Sequence, residues 1–303
     1  MKKFLCFVFL ILVLILIFVY RNPIINYCMR NIFDRASVFN EKNDYYKDMD
    51  FEFVQNTTIN SARKYQDILN IVYSTLNRGL DDFSFYCDYK SCVDDVNSIA
   101  ESSDILANIN NMVHPYNSYN KIYFTITSYD RIKIKVDYIY SDSSILLVNS
   151  EIDKIVNGSI DSSLSNYDKI KAFHDYIVNN TSYDSSVSLA TQGYIETNAS
   201  NAMGLLFEKK AICSGYSDTM AIYLSRLGLK NYKISSDTHI WNLVYLDGNW
   251  LHIDSTWDDP VTNTGENLLL SDFFLISTDT LKQKEYEMGK NEHNFNPNVY
   301  KEA

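Results

Sequence analysis

Positive charge is in short supply in this 303-residue sequence: 27 lysines and arginines face 38 acidic residues, a formal net charge of −11. That balance excludes nucleic acid and anionic lipid as general partners, because like charge opposes approach. It leaves room for a cationic peptide substrate without demonstrating one. Glycine and proline are also scarce, at 9 and 4, while tyrosine reaches 24. Beside abundant Asn, Lys and Ile this bias reads as codon composition, which removes the tyrosines as a binding signature. Cysteine is limited to Cys6, Cys28, Cys87, Cys92 and Cys213. No second cysteine pair and no nearby histidine accompany Cys87 and Cys92, so zinc is a poor reading of their spacing. Outside the cytosol the two could close a local disulfide, which the sequence alone does not establish. Cys213 stands alone, the pattern of a nucleophile and not of a staple.

What is present begins with an unbroken apolar run from Phe4 to Tyr20, preceded by Lys2 and Lys3 and closed by Arg21. As a helix it would rise roughly 25 Å, near the lower limit for a bilayer core. No small-x-small cleavage site follows, which favours a signal anchor over a cleaved signal peptide. The basic residues before the run favour an inside N-terminus. The expectation is a single membrane helix with the large domain outside the cytoplasm. Residues 22–55 are polar and aperiodic and read as a juxtamembrane stalk. Residues 56–150 read as a mixed helix-strand region of unknown role. Helical spacing of Ile68, Leu69, Val72 and Leu76 predicts a helix, Phe83 to Tyr86 a short strand, and 93–113 one or two helices. The alternating runs 121–127 and 131–140, joined by Ser128, Tyr129 and Asp130, predict a β-hairpin. His114-Pro115-Tyr116 reads as a turn. The content of 46% hydrophobic residues is enough for a substantial core.

A second unit spans 151–303. Residues 168–179 form an amphipathic helix carrying Ile170, Phe173 and Ile177, with His174 at the edge of the stripe as a packed, hydrogen-bonded histidine in preference to a catalytic one. Residues 181–198 read as a long loop that could line a cleft. Cys213 lies at the start of the next helix, where Met220, Tyr223, Leu224 and Leu227 recur at helical spacing and Gly228 ends it. Partial positive charge at a helix N-terminus favours an anionic sulfur and can stabilise an oxyanion. Taken alone, a buried cysteine is more often a small hydrophobe.

The following segment changes that balance. Residues 239–246 and 249–256 read as two strands joined by Asp247-Gly248, a strong two-residue hairpin signal. That register sets Leu246 against Asn249, Tyr245 against Trp250, Leu243 against His252 and Trp241 against Asp254. His239 and Asp254 then share a face as diagonal neighbours roughly 7–8 Å apart at the backbone, within reach of imidazole and carboxylate. A three-residue loop would turn Asp254 the wrong way. His239 can take the Cys213 proton, and Asp254 can fix the ring and stabilise imidazolium. Trp241 either shields the pair or simply packs. His252 is the alternative base, less well served by a carboxylate. Asp258 and Asp259 read as loop hydrogen-bonding groups. A metal site of His239, His252 and these aspartates matches no known ligand spacing.

Cys213-Ser214-Gly215-Tyr216, His239-Ile240-Trp241-Asn242 and the run from Asp254 to Pro260 together resemble the three core motifs of the transglutaminase-like superfamily, and residues 169–184 resemble the segment before that core. The resemblance covers about residues 150–262. It implies an α+β, papain-like core in which a helix bearing the cysteine packs on an antiparallel sheet bearing histidine and aspartate. It implies Cys213 as nucleophile, His239 as base and Asp254 as orienter, with no cofactor. Ile240 and Ser255 depart from the commoner alanine and aliphatic residue, and no upstream oxyanion side chain is matched. The expected reaction is thioester formation from a protein or cell-wall peptide amide, resolved by water or an amine. The rival is a non-catalytic surface module that keeps the fold for binding.

Overall fold

The computed structural model describes residues 9–11, 13, 15–16, 18–19, 28, 37–39, 41–127, 130–188, 197–260 and 268–303. The expected membrane helix over residues 4–20 falls partly outside these. Of that run, Phe9, Leu10, Ile11, Val13, Ile15, Leu16, Phe18 and Val19 are described, as helical. Among the described residues no helix is long and apolar enough to cross a membrane. This overturns the expected single N-terminal membrane helix and, with it, the anchored, extracytoplasmic placement built on it.

The remainder is a mixed α/β structure with two four-stranded sheets. In the first, β1 (Ser61–Ala62), β2 (Asp82–Cys87), β3 (Tyr119–Ile126) and β4 (Arg131–Tyr138) lie in the order β1-β2-β4-β3. The predicted hairpin is β3–β4, antiparallel from Tyr119↔Tyr138 to Ile126↔Ile132. Its alternation works as expected, with Ile132, Ile134 and Val136 buried; Ser128 and Tyr129 of its turn lie outside the described residues. Helices α1 (Tyr65–Asn77) and α2 (Cys92–Glu101) pack on this sheet, while α3 (Ser103–Met112) packs on both helices and on the strand Asn231–Ser235 of the second sheet. A Cys87–Cys92 disulfide links the end of β2 to the start of α2.

Two capped helices follow. Ser141 accepts from the Ser144 amide ahead of α4 (Asp142–Ser159), and Ser165 from the Asp168 amide ahead of α5 (Asn166–Asn180). Such caps supply acceptors for first-turn amides that have no partner within the helix. Short β5 (Ser182–Tyr183) runs parallel to β6 (Lys210–Ala211) and so fixes the approach to α6 (Cys213–Arg226). The second sheet has the order β10-β9-β8-β7, from β7 (Asn231–Ser235), β8 (Ile240–Leu246), β9 (Asn249–Ile253) and β10 (Phe274–Ile276), and α7 (Thr278–Met288) follows it.

Alternation along β8 sends its two faces into different cores. Trp241 and Leu243 join Tyr232, Ile234 and residues of the first sheet such as Phe85 and Ile134 in one buried cluster. Val244 and Leu246 join Tyr216, Met220, Tyr223 and Leu224 of α6 in the other. Polar links fix the helix on the sheet: Asn242 Nδ2 donates to the Ser217 carbonyl at 2.9 Å, and buried Lys233 Nζ meets Asp218 Oδ1 at 2.6 Å. Tyr140 donates to the other Asp218 oxygen at 3.0 Å.

Candidate active site

The β8–β9 turn follows directly from its residues. Asp247 and Gly248 both have positive φ, 50° and 89°, the conformation of a tight two-residue hairpin for which Asp-Gly is suited. The ladder pairs Leu246 with Asn249, Tyr245 with Trp250 and Leu243 with His252, the register expected from sequence. It ends at Asn242↔Ile253. Asp254, one residue further, gives its amide to the Phe273 carbonyl at 2.9 Å instead, which joins this corner to the segment leading into β10.

The side chains of His239 and Asp254 meet, with His239 Nε2 2.6 Å from Asp254 Oδ2. Both residues are buried, at 7% and 1% exposure, so the pair operates in a medium where charge interactions are strong. Burial alone would lower the His239 pKa, yet the Asp254 charge and hydrogen bond, with a hydrogen bond to Cys213, push it up to about 10. Burial likewise opposes ionisation of Asp254, but His239 and His293 hold its carboxyl well below the usual carboxylate range. Asp254 Oδ1 also accepts the Thr256 and Trp257 amides at 2.9 and 3.2 Å.

Cys213 is half-buried and unbridged. It begins α6, whose N-cap Ile212 has no side-chain cap, so partial positive charge at the helix end faces the sulfur. Gly215 makes the local approach possible: a Cβ there would sit 2.5 Å from the Ala199 carbonyl oxygen. Cys213 and His239 line a cleft of about 660 Å³ with Asp104, Asn111, Asp237 and Phe295. On the other side of His239, Tyr183, Trp257 and Lys284 help line a second cleft of about 780 Å³. Tyr183 brings one end of the predicted long loop to that second cleft; residues 189–196 of the loop lie outside the described residues.

The structure therefore gathers Cys213, His239 and Asp254 and sets the other candidates apart. His252 is buried, receives the Trp241 indole N–H on Nδ1 at 2.9 Å and meets Thr278 through Nε2 at 2.9 Å. Burial and the nearby His293 push its pKa down to about 3. His174 is buried between Asp175 and Asp258, at 3.0 and 3.1 Å, a packed and hydrogen-bonded histidine as expected. His114 accepts the Tyr116 amide on Nδ1 at 3.1 Å, consistent with a turn. Asp258 also accepts the Phe273 amide at 3.0 Å, and Asp259 receives the Tyr216 hydroxyl. Trp241 stacks on His239 with centroids 5.6 Å apart.

One participant is missing from the sequence reading. His293 Nε2 lies 2.8 Å from Asp254 Oδ2, and its Nδ1 lies 3.0 Å from Glu285 Oε1. Nothing in the polar stretch Lys290 to Phe295 marks it by spacing, and its only sequence signal is that histidines number five. Among the described residues His239, Asp254 and His293 form a buried group whose donor atoms lie within 4.8 Å of one another, close enough to hold a metal ion. Their nitrogen–oxygen separations of 2.6 and 2.8 Å are those of hydrogen bonds.

Residues 153–255 match the family model of the transglutaminase-like superfamily core, as the three motifs led one to expect. The chain carries a transglutaminase-like domain over that stretch, and the match suggests an enzyme of the cysteine-protease or transglutaminase type. A solved structure described as that of a TGase aligns at 21% identity and a TM-score of 0.35, over 58% of this chain and 52% of its own. This chain thus spans about half the length of that neighbour. No curated protein matches the chain.

Proposed function

We propose that the protein is a thiol-dependent amide hydrolase or acyltransferase in which Cys213 is the nucleophile, His239 the base and Asp254 the orienter. The observation that carries this reading is the buried His239–Asp254 pair, hydrogen-bonded in turn to a cysteine that opens onto a cleft. A carboxylate oxygen only accepts, so the proton of the 2.6 Å bond belongs to His239 Nε2. Nδ1 is left to take the Cys213 proton. The sulfur attacks a peptide or glutamine-type carbonyl carbon, and the carbonyl electrons move onto oxygen beside the first-turn amides of α6. Collapse of that intermediate breaks the C–N bond as His239 returns the proton to the departing amine. A thioester remains. Water or an amine then attacks it with His239 again as base, releasing the acyl product and restoring the thiol. The domain proposed to do this has the papain-like form, with the cysteine helix on the histidine-bearing sheet. The substrate class is a protein or peptide amide.

The test is covalent labelling. Iodoacetamide should modify Cys213 at neutral pH much faster than Cys28, and His239→Ala should slow the reaction by about 100-fold, the scale of a lost acid–base partner. Slow labelling that His239→Ala leaves unchanged would favour the non-catalytic binding module. Mass spectrometry of peptide mixtures treated with wild type or Cys213→Ala then separates cleavage from cross-linking.

A further inference from the structure

Asp254 serves two histidines through one oxygen. Its Oδ2 lies 2.6 Å from His239 Nε2 and 2.8 Å from His293 Nε2. Because that oxygen can only accept, both ring nitrogens carry protons. Its partner Oδ1 is already taken by the Thr256 and Trp257 amides. The carboxylate is thus held from four directions, and His293 supplies the only one of these, apart from His239, that comes from a side chain. His293 is itself held firmly. Glu285 Oε1 receives its Nδ1 at 3.0 Å and also the Glu292 and His293 amides, at 2.6 and 2.8 Å. Its ring stacks on Phe273 at 5.4 Å and meets Trp241 and Trp257 edge-on at 4.6 and 4.8 Å. A histidine needed only to fill space has no use for a carboxylate at each nitrogen, and burying such groups is costly unless all are paired.

We propose that His293 is a positioning residue for the thiol chemistry, clamping Asp254 so that the His239 ring is fixed, with Glu285 on α7 holding the clamp. The proposal rests on the reading of Cys213 and His239 as nucleophile and base. Without the clamp, Oδ2 loses a donor at a site buried from solvent. The carboxylate can then turn about its side-chain bond and the imidazole with it.

Two readouts on the full chain test this. In protein carrying 15N-labelled histidine, proton NMR should show two strongly downfield ring N–H signals on Nε2, one from each histidine. His293→Phe, which keeps the aromatic packing, should move the His239 signal and slow iodoacetamide labelling of Cys213 about tenfold, the scale of one hydrogen bond to a charged group. His293→Gln, whose amide nitrogen can occupy the Nε2 position, should recover most of that rate. Glu285→Gln should displace the His293 signal. A His293→Phe protein with an unmoved His239 signal and wild-type labelling overturns the clamp. If His293→Phe does not fold, Glu285→Gln decides by the same signals: unmoved His293 and His239 ring protons with wild-type labelling overturn it. If instead wild-type labelling is slow and indifferent to His239→Ala, the thiol reading fails, while the ring-proton signals still decide whether His293 holds Asp254.

Discussion

At the scale of single residues, three histidines of this fold are built into hydrogen-bonded surroundings that differ in charge, and their behaviour diverges accordingly. His252 faces an indole and a hydroxyl, and burial drives it down to about 3. His174 sits between two carboxylates and is raised despite the opposing effect of burial. His239, with Asp254 on one side and Cys213 on the other, rises to about 10 despite its burial. The sign of the resulting pH dependence follows from the unfolded value near 6.5. A raised histidine contributes stability that is fully present below about pH 6.5 and is lost as pH climbs toward 10, at no more than about 1.4 kcal/mol per unit. Asp254, depressed, contributes above the ordinary carboxylate range near 4 and loses that contribution as pH falls below it. Urea unfolding at pH 7 and pH 9.5 should therefore show wild type losing more stability across the interval than His239→Gln. Equal losses would mean that the pair does not hold its proton as the geometry implies. The histidine–carboxylate pair was legible in the sequence because a turn rule set its register. His293 was not, since it meets Asp254 across 39 residues and no local period points to it.

At the scale of elements, the β8–β9 hairpin and α6 carry the candidate site, and both were readable from local chemistry. Asp247-Gly248 determines the pairing of every residue up to Ile253, and the apolar spacing after Cys213 determines α6. The approach of residues 199–201 to α6 was not readable. There Gly215 does more than its place in a motif suggests, because the Ala199 oxygen and the Asn201 oxygen would lie 2.5 and 3.2 Å from any added Cβ. Both are backbone atoms that a rotamer change cannot clear. Gly215→Ala should therefore cost about 1–3 kcal/mol in a urea denaturation experiment, the usual price of overpacking. An unchanged midpoint would show that this loop shifts freely. Helix α4 was not assigned from sequence, although Val148, Ile152 and Ile155 are buried at helical spacing.

Across the whole molecule, the cores combine segments far apart in sequence. Phe51 and Val54, from an aperiodic stretch, are buried with residues of both sheets; burial there is decided by tertiary packing, which leaves no periodic trace. Tyr300 links distant parts in the same way. Its hydroxyl donates to Asn108 at 2.7 Å, receives Asn111 at 2.8 Å and lies 3.0 Å from the Ser235 hydroxyl, joining α3 to the end of β7. Tyr300→Phe keeps the packing and leaves those partners short of a bond, so it should destabilise the protein by about 1–3 kcal/mol in thermal or urea unfolding. A neutral result would place solvent in that junction. The clasp on Asp254 has a further consequence for the timing of synthesis. Chains are made from the N-terminus onward at roughly 5–20 residues per second. Cys213, His239 and Asp254 all leave the ribosome before His293, which follows Asp254 by 39 residues. A growing chain therefore spends seconds with its thiol and base already synthesised and the proposed clamp on Asp254 still unmade, so the triad can be completed only when the last few dozen residues arrive.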